Sequence, residues 1–325
     1  MRALVTGGAG FIGHHLVRGL LDRGDQVSVL DDFSTGIRSR LDPYRGRITL
    51  IEGSILDPAA LDEAIAGAEV VFHEAALASV AKSIADPRAT NQVNVAGTIE
   101  IMLAAARHGV RRVVFAGSSA VYGTPQRLPC SEEQRASPTS PYGVSKLAGE
   151  QYVHALGRLH CVETVVLRYF NVYGPGQDPA SEYAAVIPKF VTAVLGGTRP
   201  TIHGTGAISR DFVYVDNVVA ANILAALPGS PSGLTCNVAT GTRITLVELL
   251  DAICVAAGRE VEPIYGPPRE GDILDSQGDI TAARRSLGYE VRVALREGIA
   301  RTVAWYRDQE AGSADDGGRH SKDGA

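Results

Sequence analysis

The sequence predicts an α/β protein built on a doubly wound parallel sheet, with a smaller C-terminal α/β lobe able to hold a substrate. Three features carry that expectation. Short β-rich runs alternate with helical stretches through the first half, a glycine-rich turn follows the first run directly, and beyond Asn171 the pattern loosens into Gly- and Pro-rich segments interleaved with helices. At 325 residues the chain is long enough for one large domain and an appendage.

The β-rich runs are Ala3 to Val5, Gln26 to Leu30, Ile48 to Ile51, Val70 to His73, Arg112 to Phe115 and Cys161 to Leu167. Helical stretches between them are expected over about 12–23, 59–66, 88–108 and 141–158, and later over about 184–196, 216–227 and 245–257. A first domain is expected over 1–170, with 210–240 returning to it, and a second lobe over 171–209 and 241–308. The stretch 311–325 has almost no apolar residues, so a disordered tail is expected there.

Composition narrows the partners. The formal charge is −5 with Lys and Arg spread along the chain, whereas a nucleic-acid surface needs a clustered basic face. No apolar run approaches the ~18 residues of a membrane span. The opening Met1 to Thr6 runs straight into the glycine turn, so no signal peptide is expected. Cys130, Cys161, Cys236 and Cys254 are scattered, with no CxxC pair and no His cluster at ligand spacing, so neither a disulfide framework nor a metal site is signalled. A small-molecule partner and a reducing cytoplasm fit best.

The cofactor signal is Thr6-Gly7-Gly8-Ala9-Gly10-Phe11-Ile12-Gly13, placed between a strand and an amphipathic helix. Glycines at 7, 10 and 13 let the backbone turn tightly against a pyrophosphate, and the helix N-terminus supplies unpaired N–H groups. The spacing is GxxGxxG rather than GxGxxG. Asp31 ends the second strand, 18 residues past Gly13, where a carboxylate accepts from both ribose hydroxyls and repels a 2′-phosphate; NAD is therefore favoured. The site of this Rossmann-type domain is expected to include Asp32, Ser34, Thr35 and Gly36 after that strand. Ser54 and Ile55 follow the third strand near the adenine, and Ala75 and Ala76 follow the fourth, where small residues let the backbone approach the cofactor.

The chemistry falls on two later segments, Gly117-Ser118-Ser119-Ala120-Val121-Tyr122-Gly123 and Ser140-Pro141-Tyr142-Gly143-Val144-Ser145-Lys146. Tyr142 and Lys146 are four apart and share a helix face. A phenol that takes and returns a proton near neutrality needs its pKa lowered from about 10, and an ammonium beside a cationic nicotinamide would do that. Lys146 can also hold the nicotinamide ribose, and Ser118 can orient the same substrate oxygen.

The glycine loop, a serine-bearing strand end and Tyr-x-x-x-Lys, in this order and at these separations, resemble the extended short-chain dehydrogenase/reductase family over roughly residues 1–308. In Arg168-Tyr169-Phe170-Asn171-Val172-Tyr173-Gly174-Pro175 the resemblance implies that Asn171 binds a substrate diphosphate. Ser209-Arg210-Asp211-Phe212 implies that Arg210 grips it, and Arg269-Glu270-Gly271-Asp272 implies a second arginine, with Asp272 near the nucleotide ribose. Two planar, forked guanidiniums suit the many acceptor oxygens of paired phosphates.

Within that family the resemblance is sharpest to the nucleotide-sugar 4-epimerase branch acting on UDP-N-acetylglucosamine and UDP-glucose. Dehydratase relatives place Asp-Glu after the hydroxyl residue, where this chain has Ser119 and Ala120. Relatives that recognise a C6 carboxylate often carry an Arg-rich loop where this chain has Gly176-Gln177-Asp178. Seven residues after Arg269, enzymes strict for UDP-glucose resemble one another in a bulky Tyr; Ser276 leaves room here for a C2 acetamido group. Ser79 and Gln177 would line the same region, and Lys82, Ile187 and His203 complete the implied substrate set with Ser118 and Ser119. Two departures stand out: Ser54 replaces the usual Asp at the adenine edge, and Ala81-Lys82 replaces Pro-Arg. A UDP-glucuronate epimerase, a dehydratase and a catalytically silent NAD-binding regulator on the same fold are the competing readings. The family also implies a homodimer through helices 88–108 and 141–158.

Overall fold

The protein is described by a computed structural model covering residues 1–178, 185–268 and 275–317. Its frame is a seven-stranded sheet in the order β11-β6-β5-β4-β1-β2-β3, every pairing parallel. The strands are β1 (Arg2–Thr6), β2 (Gln26–Asp31), β3 (Ile48–Glu52), β4 (Val70–His73), β5 (Arg112–Ser118), β6 (Glu163–Tyr169) and β11 (Leu234–Val238). This is the doubly wound Rossmann-type architecture expected. Both faces are buried at the centre of the sheet, alternate residues of one strand pointing to opposite sides, while the edge strand β3 leaves Thr49 and Leu50 exposed. Ala3 and Val5 join the core on one side with Val70 and Phe72, while Leu4 and Val71 join the core on the other.

Helix α1 (Phe11–Asp22) and helix α8 (Val215–Ala226) cover the first face through Leu16, Val17, Leu20, Val218 and Ala221. Helices α2 (Pro58–Ile65), α5 (Gly97–Arg107) and α6 (Pro141–His160) cover the second through Leu61, Ile65, Ile101, Met102 and Val153. Each fully buried aliphatic side chain of this kind contributes about 1.5–3 kcal/mol.

Two differences from the sequence expectation have clear causes. The stretch 88–108 is not one helix but α4 (Pro87–Asn91), a π turn (Gln92–Ala96) and α5; the wide turn carries Asn94, which is buried and hydrogen-bonded to neighbouring loops. Just before it, α3 (Val80–Ala85) is capped by the Ser79 hydroxyl. Strand β11 was not expected as a strand, since Thr235 and Asn237 interrupt its apolar pattern. Asn237 is fully buried, and its amide accepts from the Tyr122 hydroxyl at 2.7 Å and donates to Cys130 O and Asp279 O.

A third core gathers α7 (Val186–Leu195), α9 (Leu246–Ala257) and α11 (Leu295–Gly317) around short strands, with Ile187, Phe190, Leu250, Ile253 and Ile299 inside. These strands are β7 (Asn171–Tyr173), β8 (Thr201–His203), β9 (Ser209–Arg210), β10 (Phe212–Tyr214), β12 (Ile244–Thr245) and β13 (Ile264–Gly266); α10 (Thr281–Leu287) returns toward β11. Residues 311–317, expected to be disordered, continue α11 as helix. Arg269 and Asp272 lie outside the described residues, as do 318–325.

Candidate active site

The order of the sheet reverses between β1 and β4, and ligands of such sheets bind in the crevice at the C-terminal strand ends there. The parallel register brings Thr6 beside His73 and Leu30, and Ser118 beside Tyr169. One edge of the sheet therefore presents the glycine loop, Asp31, Glu74, Ser118 and Tyr169 together.

The cofactor cleft is lined by Gly7, Gly10, Asp31, Asp32, Ser34, Thr35, Gly36, Ser54, Ile55, Ala75 and Ala76, with Glu74 among them. Its glycines are required. Gly7 has φ +70°, and a Cβ there would lie 2.8 Å from the Ala75 backbone; a Cβ on Gly13 would lie 2.1 Å from the Gly7 carbonyl oxygen. Helix α1 starts at Gly10 with no side-chain cap and no acidic residue in its first turn, which leaves its amides and dipole for an anion. These features fit a dinucleotide. Asp31 does a second task that its sequence position does not reveal: its carboxylate accepts from Ala9 N at 2.8 Å and Phe33 N at 2.9 Å, fastening the glycine loop to β2. Phe11, Ile12 and Gly13 support the cleft from α1. Phe11 packs into the third core and Ile12 into the first.

Helix α6 opens on the Tyr142–Lys146 segment. The Ser140 hydroxyl accepts from Gly143 N at 3.1 Å, Pro141 occupies the first turn, and Tyr142 N donates to Ser83 Oγ at 3.0 Å. One turn on, Lys146 is buried and donates to the Ala116 carbonyl at 2.9 Å. Burial lowers its pKa to about 8, opposed by the Glu74 carboxylate. The Ser118 hydroxyl, at the end of β5, accepts from Ala120 N at 3.1 Å and lies near enough to the Tyr142 phenol to favour its ionised form. Ser118, Tyr142 and Lys146 thus converge across β5 and α6.

The phenol differs from expectation. Burial raises the Tyr142 pKa, with Glu74 adding to the rise and Ser118 opposing it, so the protein's own groups do not lower it. Asn94 and Glu74 have no motif to announce them. Asn94 Oδ1 accepts from Leu77 N at 2.8 Å, and its amide donates to Leu77 O and to Ser145 Oγ at 3.0 Å, tying the cleft loop to α6. Its π turn is the available signal, and only the fold displays it.

Two further spaces meet at Asn171 and Arg210. A cleft of about 260 Å³ contains Ser118, Ser119, Cys130, Tyr169 and Ser276 beside them, and a larger one of about 780 Å³ contains Ile187, Lys189, Arg199 and His203. β7 pairs with β10 so that Asn171 faces Phe212, and Ser276 N donates to Ser209 O, which sets Asn171, Arg210 and Ser276 around one short strand. The Asn171 amide donates to Asp211 O at 3.0 Å. Not every expected residue arrives. Lys82 is exposed in a surface pocket with Leu77, Asp86 and Thr90 and lines neither cleft; the Ser79 hydroxyl caps α3; and the Gln177 amide turns back toward Val172 O. The cap of α3 claims the Ser79 hydroxyl, and a nearby carbonyl claims the Gln177 amide. Among the described residues no cluster of His, Cys, Asp and Glu is placed to hold a metal ion.

With this fold and cleft, the chain is a Rossmann-type enzyme of the NAD dependent epimerase/dehydratase family, whose model matches residues 3–239. It is 42% identical over 314 residues to the UDP-glucose 4-epimerase of Mycolicibacterium smegmatis, covering 95% of this chain and 99% of that one. It is 34% identical over 321 residues to the dTDP-glucose 4,6-dehydratase of Streptomyces niveus, covering 96% and 94%. The structure of a UDP-N-acetylglucosamine 4-epimerase from Methanobrevibacter ruminantium, in complex with UDP-N-acetylmuramic acid, superposes with a TM-score of 0.90 at 37% identity, covering 95% of this chain and 98% of that one.

Proposed function

We propose that the protein is an NAD-dependent 4-epimerase of UDP-sugars, interconverting UDP-glucose with UDP-galactose and UDP-N-acetylglucosamine with UDP-N-acetylgalactosamine through a transient 4-keto sugar. The observation that carries this reading is the convergence of Ser118, Tyr142 and Lys146 beside the cofactor cleft, with Ser119 and Ala120 next in the chain. The glycine loop and Asp31 would hold NAD, which would supply a reversible hydride acceptor for the sugar C4. Tyr142 takes the proton from the sugar O4 and gives it back, Ser118 orients that hydroxyl, and Lys146 holds positive charge beside the phenol. Asn171 and Arg210 grip the diphosphate, with Arg269, and Asp272 meets the ribose. Ser276 leaves space for the acetamido group.

The dehydratase relative supports a second reading, but Ser119 and Ala120 offer neither an acid nor a base for eliminating water. Incubation with UDP-glucose, UDP-N-acetylglucosamine and UDP-glucuronate, with the products resolved, is expected to give the C4 epimers of the first two. A 4-keto-6-deoxy product, or no epimer from any sugar, would sink the reading. Ser276→Tyr should slow the acetamido sugar more than tenfold relative to the hexose; equal loss on both removes the role assigned to that position. The working form is proposed to be a cytoplasmic homodimer.

A further inference from the structure

Asp211 lies between β9 and β10, one residue after Arg210, and is fully buried. Its carboxylate gathers donors from three residues. Oδ1 accepts from Thr240 N at 2.8 Å and Thr240 Oγ1 at 2.6 Å, and Oδ2 accepts from Gly241 N at 3.0 Å and Gly278 N at 3.2 Å. Its backbone carbonyl accepts from Asn171 twice, from the backbone N–H at 3.2 Å and from the side-chain amide at 3.0 Å. The chain is pinned on the other side of Arg210 as well: the Ser209 carbonyl accepts from Ser276 N at 3.1 Å, and the Ser209 hydroxyl donates to the Asp275 carboxylate. Packing holds the same segment, since a Cβ on Gly278 would lie 2.7 Å from Ala239 Cβ and 2.9 Å from Phe170 Cε2. The loop after β11, the strand bearing Asn171 and the segment bearing Ser276 therefore meet on one residue beside Arg210. Asp211 lines neither the cofactor cleft nor the two spaces beyond it, so it acts through its neighbours.

We propose that Asp211 is the positioning residue of the diphosphate clamp: its carboxylate bolts the β9–β10 corner to Thr240, Gly241 and Gly278, and so holds Asn171 and Arg210 at the separation that paired phosphates need. The inference rests on the reading of Asn171 and Arg210 as the diphosphate ligands. Two groups on different strands grip one anion well only if their spacing is fixed, and a displacement of about 1 Å can cost about 10²-fold. Three of the four donors on the carboxylate are backbone N–H groups, one on Oδ1 and two on Oδ2. Such groups only donate, so both oxygens must accept. An asparagine offers a single acceptor oxygen, and whichever way its amide turns, its NH2 faces a backbone N–H. Asp211→Asn therefore breaks one side of the bolt at almost constant volume.

Uridine and UDP separate positioning from general damage, because they share base and ribose and differ by the diphosphate. In calorimetric titration of the NAD-loaded enzyme, Asp211→Asn is expected to bind UDP at least about tenfold more weakly than wild type, with uridine affinity within about twofold and bound NAD unchanged. Equal loss of UDP and uridine would mark a general defect of the lobe, and an unchanged UDP affinity would show that the clamp does not need the carboxylate; either result overturns the proposal. If this variant does not fold, Thr240→Val removes one donor at similar volume and should weaken UDP at least about threefold with uridine unmoved. An unmoved UDP affinity there overturns the proposal equally. A wild-type enzyme that binds UDP no better than uridine would sink the reading of Asn171 and Arg210, and this inference with it. A wild type that prefers UDP, beside an Asp211→Asn enzyme with the same preference, would sink this inference alone. The titrations need no turnover, so a protein inert toward every UDP-sugar that still shows the expected UDP shift would sink only the epimerase reading.

Discussion

Tyr142 is the second residue of a capped helix, and its backbone N–H is held by Ser83. Replacing it with phenylalanine removes one oxygen and leaves those backbone bonds. Tyr142→Phe is therefore expected to fold and keep NAD while losing turnover by about 10²–10⁴-fold. Bound nucleotide and initial rates check this, and turnover within tenfold of wild type would contradict the acid/base role. The pair was readable in the sequence because a spacing of four always shares a helix face. Glu74 and Asn94 were not, because their partners Tyr169, Leu77 and Ser145 are far away in the chain and only strand register and a π turn bring them close. Gln177 lies between the two cases: its amide donates to the nearby Val172 carbonyl, while its Oε1 is buried without a partner among the described residues.

Among the elements, α1 carries the clearest pH signature. His14 Nδ1–H donates to the Gly10 carbonyl at 2.9 Å, and His15 Nε2–H donates to the Pro175 carbonyl at 2.8 Å, so each ring ties α1 to a loop of the site. Burial lowers their pKa values to about 3 and about 4. Both groups are thus neutral in the folded protein, whereas the unfolded chain takes up protons near pH 6.5. Unfolded histidine binds more protons in that window, so their contribution to stability is full above about pH 7 and is lost as pH falls toward the folded values. His14→Ser, whose hydroxyl can still reach Gly10 O, should lose at most ~2 kcal/mol less than wild type between pH 7 and pH 5. Urea unfolding at both pH values measures the difference. An unchanged or larger loss in the variant would show that His14 is not held neutral.

On the scale of the whole molecule, α6 leaves Val144, Tyr152 and Leu159 exposed, Leu159 at 72% of its surface. Apolar side chains along one helix support the homodimer proposed above. Sedimentation equilibrium should give about twice the 34.2 kDa of one chain, and a monomer at micromolar concentration would argue against it. Local pattern determined the fold class, the glycine cradle and the Tyr142–Lys146 spacing, since each depends on neighbours within a few residues or on strand alternation. Strand β11, the meeting of Asn171 with Arg210 and Ser276, the loss of Lys82 from the cleft and the donors gathered on the Asp211 carboxylate had to wait for the folded molecule. They arise where segments distant in sequence are packed side by side, and there burial and hydrogen-bond satisfaction, rather than local propensity, choose each side chain's partner.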